Sequence, residues 1–143
     1  MNQTYDSNEL EKIIESTFYG LFVADSQGVI IFVNRAFERI TGFLREEVVG
    51  RKMGDLLASG QYKDSVTLRV IKSLKSETIV QKLPNGKSII VTGNPLFDNN
   101  GKLWRVVVNV RDVAEVASLQ QYVNRSEVEE SLTSESGGVV VCS

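Results

Sequence analysis

Histidine is absent from this chain of 143 residues, and cysteine occurs once, at Cys142. The first absence removes the commonest general base and the commonest transition-metal ligand. A lone thiol builds neither a thiolate metal cluster nor an internal disulfide, and it agrees with a reducing compartment. There is no Gly-rich phosphate loop carrying Lys, and no Gly-x-Gly-x-x-Gly after a strand. The acidic pairs Glu46-Glu47 and Glu129-Glu130 are sequence neighbours, so on a helix they diverge and read as solvated faces. No constellation reads as catalytic, and no metal site is expected. Sixteen basic against eighteen acidic residues leave a net charge of −2, which argues against direct nucleic-acid contact. The first residues lack the basic start and apolar run of a signal peptide, and no apolar stretch is long enough to span a bilayer. The expected setting is cytoplasmic, without membrane contact.

What is present is enough for one domain with a tail: 42% of residues are hydrophobic, ordinary for a soluble globular protein. Ser7 is placed to cap an N-terminal helix whose apolar face is Leu10, Ile13 and Ile14. Residues 20–24 and 29–33 are short β-rich runs joined by a turn with Asp25 and Gly28, so an antiparallel hairpin is predicted. Asn34 ends the second run and can cap the helix after it, which presents Phe37 and Ile40 on one face and stops at Gly42. Gly50, Gly54 and Gly60 break residues 45–60 into short helical turns. Tyr62, Val66, Val70 and Leu74 recur every fourth residue, predicting an amphipathic helix over 61–74. Strands are predicted at 77–83, 88–97 and 103–112, the first two joined by Asn85-Gly86 in a type I′ turn. Together these make a five-stranded antiparallel sheet. In the last strand Trp104, Val106, Val108 and Val110 alternate with a mixed comb, so the apolar comb is assigned to the helices. The mixed comb suggests partial cover of the outer face by the N-terminal helix or a second subunit.

From Val113 the pattern turns helical, with Val116, Leu119 and Val123 starting a heptad seam. Residues 124–136 are rich in Ser and Glu, as a solvated linker is. Residues 137–143 then turn apolar, like the first strand of a further domain.

The ordered set Asp25-x-x-Gly28, a strand ending in Asn34, Thr41-Gly42-Phe43, Pro84-Asn85-Gly86-Lys87, Gly101-Lys102 and Arg111-Asp112-Val113 resembles the PAS sensory domain family. The resemblance covers residues 10–123. It implies an α+β, profilin-like fold: a five-stranded antiparallel sheet with short helices on one face, an N-terminal helix and a C-terminal exit helix. The expected divisions are an N-terminal flank (1–9), the PAS domain (10–113), the exit helix and start of a coiled coil (114–124), and a linker with the start of a downstream domain (125–143).

The resemblance also sets expectations for cofactors. Haem-binding members generally use a His on the long helix, and 61–74 has none. Light-sensing flavin members use a Cys in the region that corresponds to 43–57, and the coumaroyl chromophore needs a core Cys; neither is here. A non-covalent small molecule or flavin remains, in a pocket between sheet and helices. Its candidate walls are Phe37, Ile40, Met53, Leu57, Val66, Val70, Trp104, Val106 and Val108, all of which are equally what a filled core requires. Thr92, Asn94 and Asn109 are candidate polar contacts. Arg111, Asp112 and Val113 match the family's Asp-Ile/Val-Thr signalling motif, with Ala114 where Thr is usual. Asp112 can cap the exit helix and pair with a cation.

The resulting reading is a non-catalytic sensory domain of a bacterial signalling protein, working as a homodimer and passing its signal along the exit helix to an output domain in the same chain. The apolar run at 139–143 resembles the start of the ATPase domain of sigma-54-dependent regulators. Its rivals are a sensor histidine kinase context and a ligand-free dimerisation module.

Overall fold

The computed structural model describes residues 6–58 and 64–115, with the side chains of Leu57 and Ala58 left aside. The elements in order are α1 (Ser7–Glu15), β1 (Gly20–Asp25), β2 (Ile30–Val33), α2 (Arg35–Thr41), α3 (Arg45–Val48), α4 (Met53–Ala58), α5 (Val66–Ser73), β3 (Glu77–Lys82), β4 (Ser88–Phe97) and β5 (Leu103–Asp112). The strands form one antiparallel sheet in the order β2-β1-β5-β4-β3. One face carries the helices and the core, built on Phe22, Val33, Phe37, Ile40, Leu56, Val70, Val91, Val106 and Val108.

Three hairpins close with one turn geometry. In each, the N–H of a glycine in positive φ donates to the carbonyl three residues back, as Gly28 to Asp25, Gly86 to Leu83 and Gly101 to Asp98. The prediction of a type I′ turn at Asn85-Gly86 is corrected: Gly86 has φ 87°, whereas Asn85 is not in positive φ. Pro84 holds the preceding φ negative, which suits a type I turn followed by a left-handed glycine. Asp25 and Asp98 tighten their turns further, each accepting through Oδ1 from two backbone N–H groups, those of Gln27 and Val29 and those of Asn100 and Lys102.

Other expectations shift by a few residues. Asp6, not Ser7, caps α1, accepting from the N–H of Glu9 at 2.8 Å. The helix predicted over 61–74 starts only at Val66, because Ser65 takes the N-cap and its Oγ accepts from Leu68 N; Tyr62 lies outside the described residues. At the other end Leu74 is the C-cap in the left-handed region, φ 58°, and is half exposed. A leucine there is strained where glycine would not be. Leu74→Gly is therefore expected to raise stability by about 0.5–1 kcal/mol, read as a higher urea midpoint at unchanged slope.

The largest correction concerns Trp104. Leu96 pairs with Arg105 and Phe97 with Leu103, so Trp104 is the extra residue of a β-bulge. A bulge breaks the alternation of side chains. Trp104 is consequently 50% exposed, with the Arg105 guanidinium 4.5 Å from its ring centroid, and Leu103 packs on the core instead. Val106, Val108 and Val110 do point inward, fully buried. Nor does α1 cover the outer sheet face. Its residues from Ser7 to Ile13 are exposed, and it is tied to the domain at its last turn. Val113–Glu115 form a first helical turn after β5; the predicted seam at Val116, Leu119 and Val123, the linker and the apolar run lie outside the described residues.

Candidate functional site

Between the sheet and the helices lies a cavity of about 30 Å³. The sheet contributes Phe22, Ile30, Gln81, Ile89, Val91 and Val110, and the segment after β3 contributes Leu83. The helical side contributes Phe37, Thr41, Met53, Ser65, Val66 and Thr67, with Asp64 at the edge. Phe22 and Phe37 meet edge to face at 5.7 Å, an arrangement that aromatic quadrupoles favour.

Of the residues singled out from the sequence, Phe37, Met53 and Val66 line this cavity. Ile40, Val70, Val106 and Val108 are buried in the surrounding core without lining it. Trp104 is on the surface, and the side chain of Leu57 lies outside the described residues; its neighbour Leu56 is buried. Thr92 and Asn94 alternate with the inward Val91 and Gly93, so they sit on the opposite face, where Thr92 meets Thr78 at 3.1 Å and Asn94 accepts from Ser76 Oγ at 2.8 Å. Asn109 lies on that face too, between inward Val108 and Val110.

Sequence reasoning missed Ser65, Thr67 and Gln81, the polar side of the cavity. Most are already engaged. Ser65 caps α5, Thr41 Oγ1 donates to Phe37 O, and Gln81 Nε2 donates to Asp64 O at 2.8 Å. Thr67 differs: it has no exposed surface, and its Oγ1 has no hydrogen-bond partner. Its position beside the predicted i+4 stripe was the available signal. Asp64 pairs with Arg69 at 2.6 Å, and this hydrogen bond holds its carboxyl below the ordinary range.

A second constellation joins the two ends of the domain. Asn34 is buried and caps α2, its Oδ1 accepting from Phe37 N at 2.9 Å and from Leu21 N at 2.8 Å. Its Nδ2 donates to Thr17 Oγ1, Tyr19 O and Ile14 O. One side chain thus ties the end of α1, the start of β1 and the start of α2. Arg39 on α2 donates to Glu115 Oε1 at 3.0 Å and to Phe18 O at 3.1 Å, and lies 5.3 Å from the Phe18 ring centroid. Arg111 lies over Tyr19 at 5.8 Å. Asp112 is buried at the end of β5: Oδ1 accepts from Ala114 N at 2.9 Å, and Oδ2 is 3.9 Å from Lys87 Nζ. Val113 opens the helical turn that this bond caps.

A wide groove between α1 and the start of α2 and α3 is lined by Glu11, Glu15 and Glu38 against Lys12, Arg35 and Arg45. Its charges balance, and Glu15 already pairs with Arg35. Among the described residues no group of three His, Cys, Asp or Glu could hold a metal ion, and no helix is long and apolar enough to cross a membrane.

A family profile described as PAS domain matches residues 19–115. The chain belongs to the PAS domain family. The PAS fold is likewise what the similar solved structures share. One is the PAS domain of a protein from Colwellia psychrerythraea, at 19% identity and TM-score 0.55, covering 76% of this chain and 97% of that one. Another is the PAS domain of an HTR-like protein from Haloarcula marismortui, at 19% identity and TM-score 0.55, with coverage of 75% and 91%. A sensory box sensor histidine kinase from Vibrio cholerae matches at 20% identity and TM-score 0.53, with coverage of 74% and 90%. None of the curated proteins matches. In this PAS domain the matched span runs from Tyr19, where Asn34 anchors the chain, to Glu115, where Arg39 meets it.

Proposed function

We propose that this PAS domain is a non-catalytic sensory module of a cytoplasmic signalling protein. A small molecule in the interior cavity biases the packing of sheet on helices, and Asp112 with Arg111 and Val113 passes that bias into the helix that starts at Val113. The observation that carries this reading is the position of Asp112. Its carboxylate sits between Lys87, beside the start of β4, and the backbone N–H of Ala114 in the first turn of the exit helix. A shift of β4 relative to β5 therefore alters the bonding that sets the helix angle. A tenfold difference in ligand affinity between two arrangements moves their balance by about 1.4 kcal/mol, comparable to the roughly 1 kcal/mol of one helix cap.

Exposed Leu10 and Ile13 on α1 support a homodimer. The cavity volume supports a small ligand over a flavin. The output reading is an ATPase domain of a sigma-54-dependent regulator, supported by the Ser/Glu-rich stretch and the apolar run after it. Asp112→Ala is expected to cost only about 1 kcal/mol of stability and to speed amide exchange at Ala114 and Glu115 about tenfold with sheet amides unchanged. In the full-length protein it abolishes ligand-dependent output. Retained output in that variant removes Asp112 from the relay.

A further inference from the structure

We propose that the interior cavity takes a small uncharged guest with one hydrogen-bonding group, and that Thr67 is the residue that anchors it; the inference rests on the sensory reading of the cavity above. Buried hydroxyls are nearly always paired, and one left unpaired in a folded interior marks a missing partner such as water or a ligand. Thr67 Oγ1 is such an atom, and the residue lines the cavity. The other polar side chains there each make at least one hydrogen bond: Ser65 Oγ accepts from Leu68 N, Thr41 Oγ1 donates to Phe37 O, and Gln81 Nε2 donates to Asp64 O.

Charge narrows the class. Among the described residues no Lys or Arg lines the cavity, and the one charged residue there, Asp64, is engaged with Arg69. A carboxylate or phosphate would be buried there without a counter-charge, which folded interiors disfavour strongly. Size narrows it again. About 30 Å³ holds roughly two waters at about 10–15 Å³ each, far below the ~150 Å³ in which benzene fits. The guest is thus about three non-hydrogen atoms, with an apolar end against Phe22, Phe37, Met53 and Val91.

The test is a methyl NMR titration with ethanol and with its charged counterpart acetate, on the wild type, Thr67→Val and Thr67→Ser. Ethanol is expected to shift the Val66 and Val91 methyl signals saturably while acetate does not. Thr67→Val, isosteric but without the hydroxyl, weakens ethanol binding at least tenfold, and Thr67→Ser stays within threefold. Ethanol binding unchanged in Thr67→Val, or acetate binding as tightly as ethanol, overturns this inference and leaves the cavity a sensory site. No shift with either probe, with Thr67→Val melting above the wild type because an orphan hydroxyl is gone, overturns the inference and the sensory reading of the cavity together.

Discussion

Asn34→Ala is expected to destabilise the domain by about 3–4 kcal/mol, a large part of the 5–15 kcal/mol that holds a typical domain folded. The helix cap accounts for about 1 kcal/mol. The rest comes from groups left behind: Leu21 N and Phe37 N lose the acceptor they share, and Tyr19 O and Thr17 Oγ1 lose their donor. Asn34 is 1% exposed, so water cannot readily take its place, and each buried orphan costs about 1–3 kcal/mol. Urea unfolding measures the total, and a loss below about 1 kcal/mol would mean that the hub is redundant. Asn34→Asp separates the two halves of the effect. Its carboxylate still caps α2, but it cannot donate to Ile14 O, Thr17 Oγ1 and Tyr19 O, so α1 is expected to exchange amides faster while α2 stays protected.

Gly93→Ala is expected to cost about 2 kcal/mol, within the range for overpacking a filled core. Gly93 pairs with Val108 in mid-sheet, under α5. A Cβ there would stand 2.9 Å from Val70 Cγ2 and 3.4 Å from Val66 Cγ1. Val70 has no exposed surface, and a valine in a helix has one strongly preferred rotamer, so the helix itself must lift. Adding Val70→Ala in the same chain is expected to restore part of the loss relative to the two single changes, because the two sites share one contact. Additive losses would show that the helix does not rest on Gly93.

How much was legible in the residues follows the range of the interactions. The Asp25–Gly28 turn and the Asn34 cap rest on contacts within a few residues, and they stood where the sequence placed them. The turn at Asn85-Gly86 failed as a type I′ prediction because Pro84, just before it, outweighed the dipeptide signal. Trp104 failed because strict alternation carries no information about a bulge, which arises only when β5 is paired against β4.

The candidate site was the least legible part. Phe37, Met53 and Val66 line the cavity while Ile40, Val70, Val106 and Val108 fill the core beside it, yet all seven carry the same apolar signature. Hydrophobic spacing reports which face is buried, and it is blind to whether the space opposite is filled. The same limit hid Thr67, a residue that reads from sequence as an ordinary polar position on an amphipathic helix.

The sequence alone determined the antiparallel hairpins, the Asn34-capped helix, the PAS pattern and the lack of histidine chemistry, since each depends on residue identity and short-range backbone preference. Tertiary structure decided what a residue list cannot: the bulge that turns Trp104 outward, the close approach of α5 over Gly93, the unpaired hydroxyl of Thr67, the hub at Asn34, the Asp112–Lys87 pair, and the tie through Arg39 that brings the two ends of the domain together. The contacts of Gly93, Asn34, Arg39 and Asp112 join segments well separated along the chain. They exist only once packing has fixed where each segment lies.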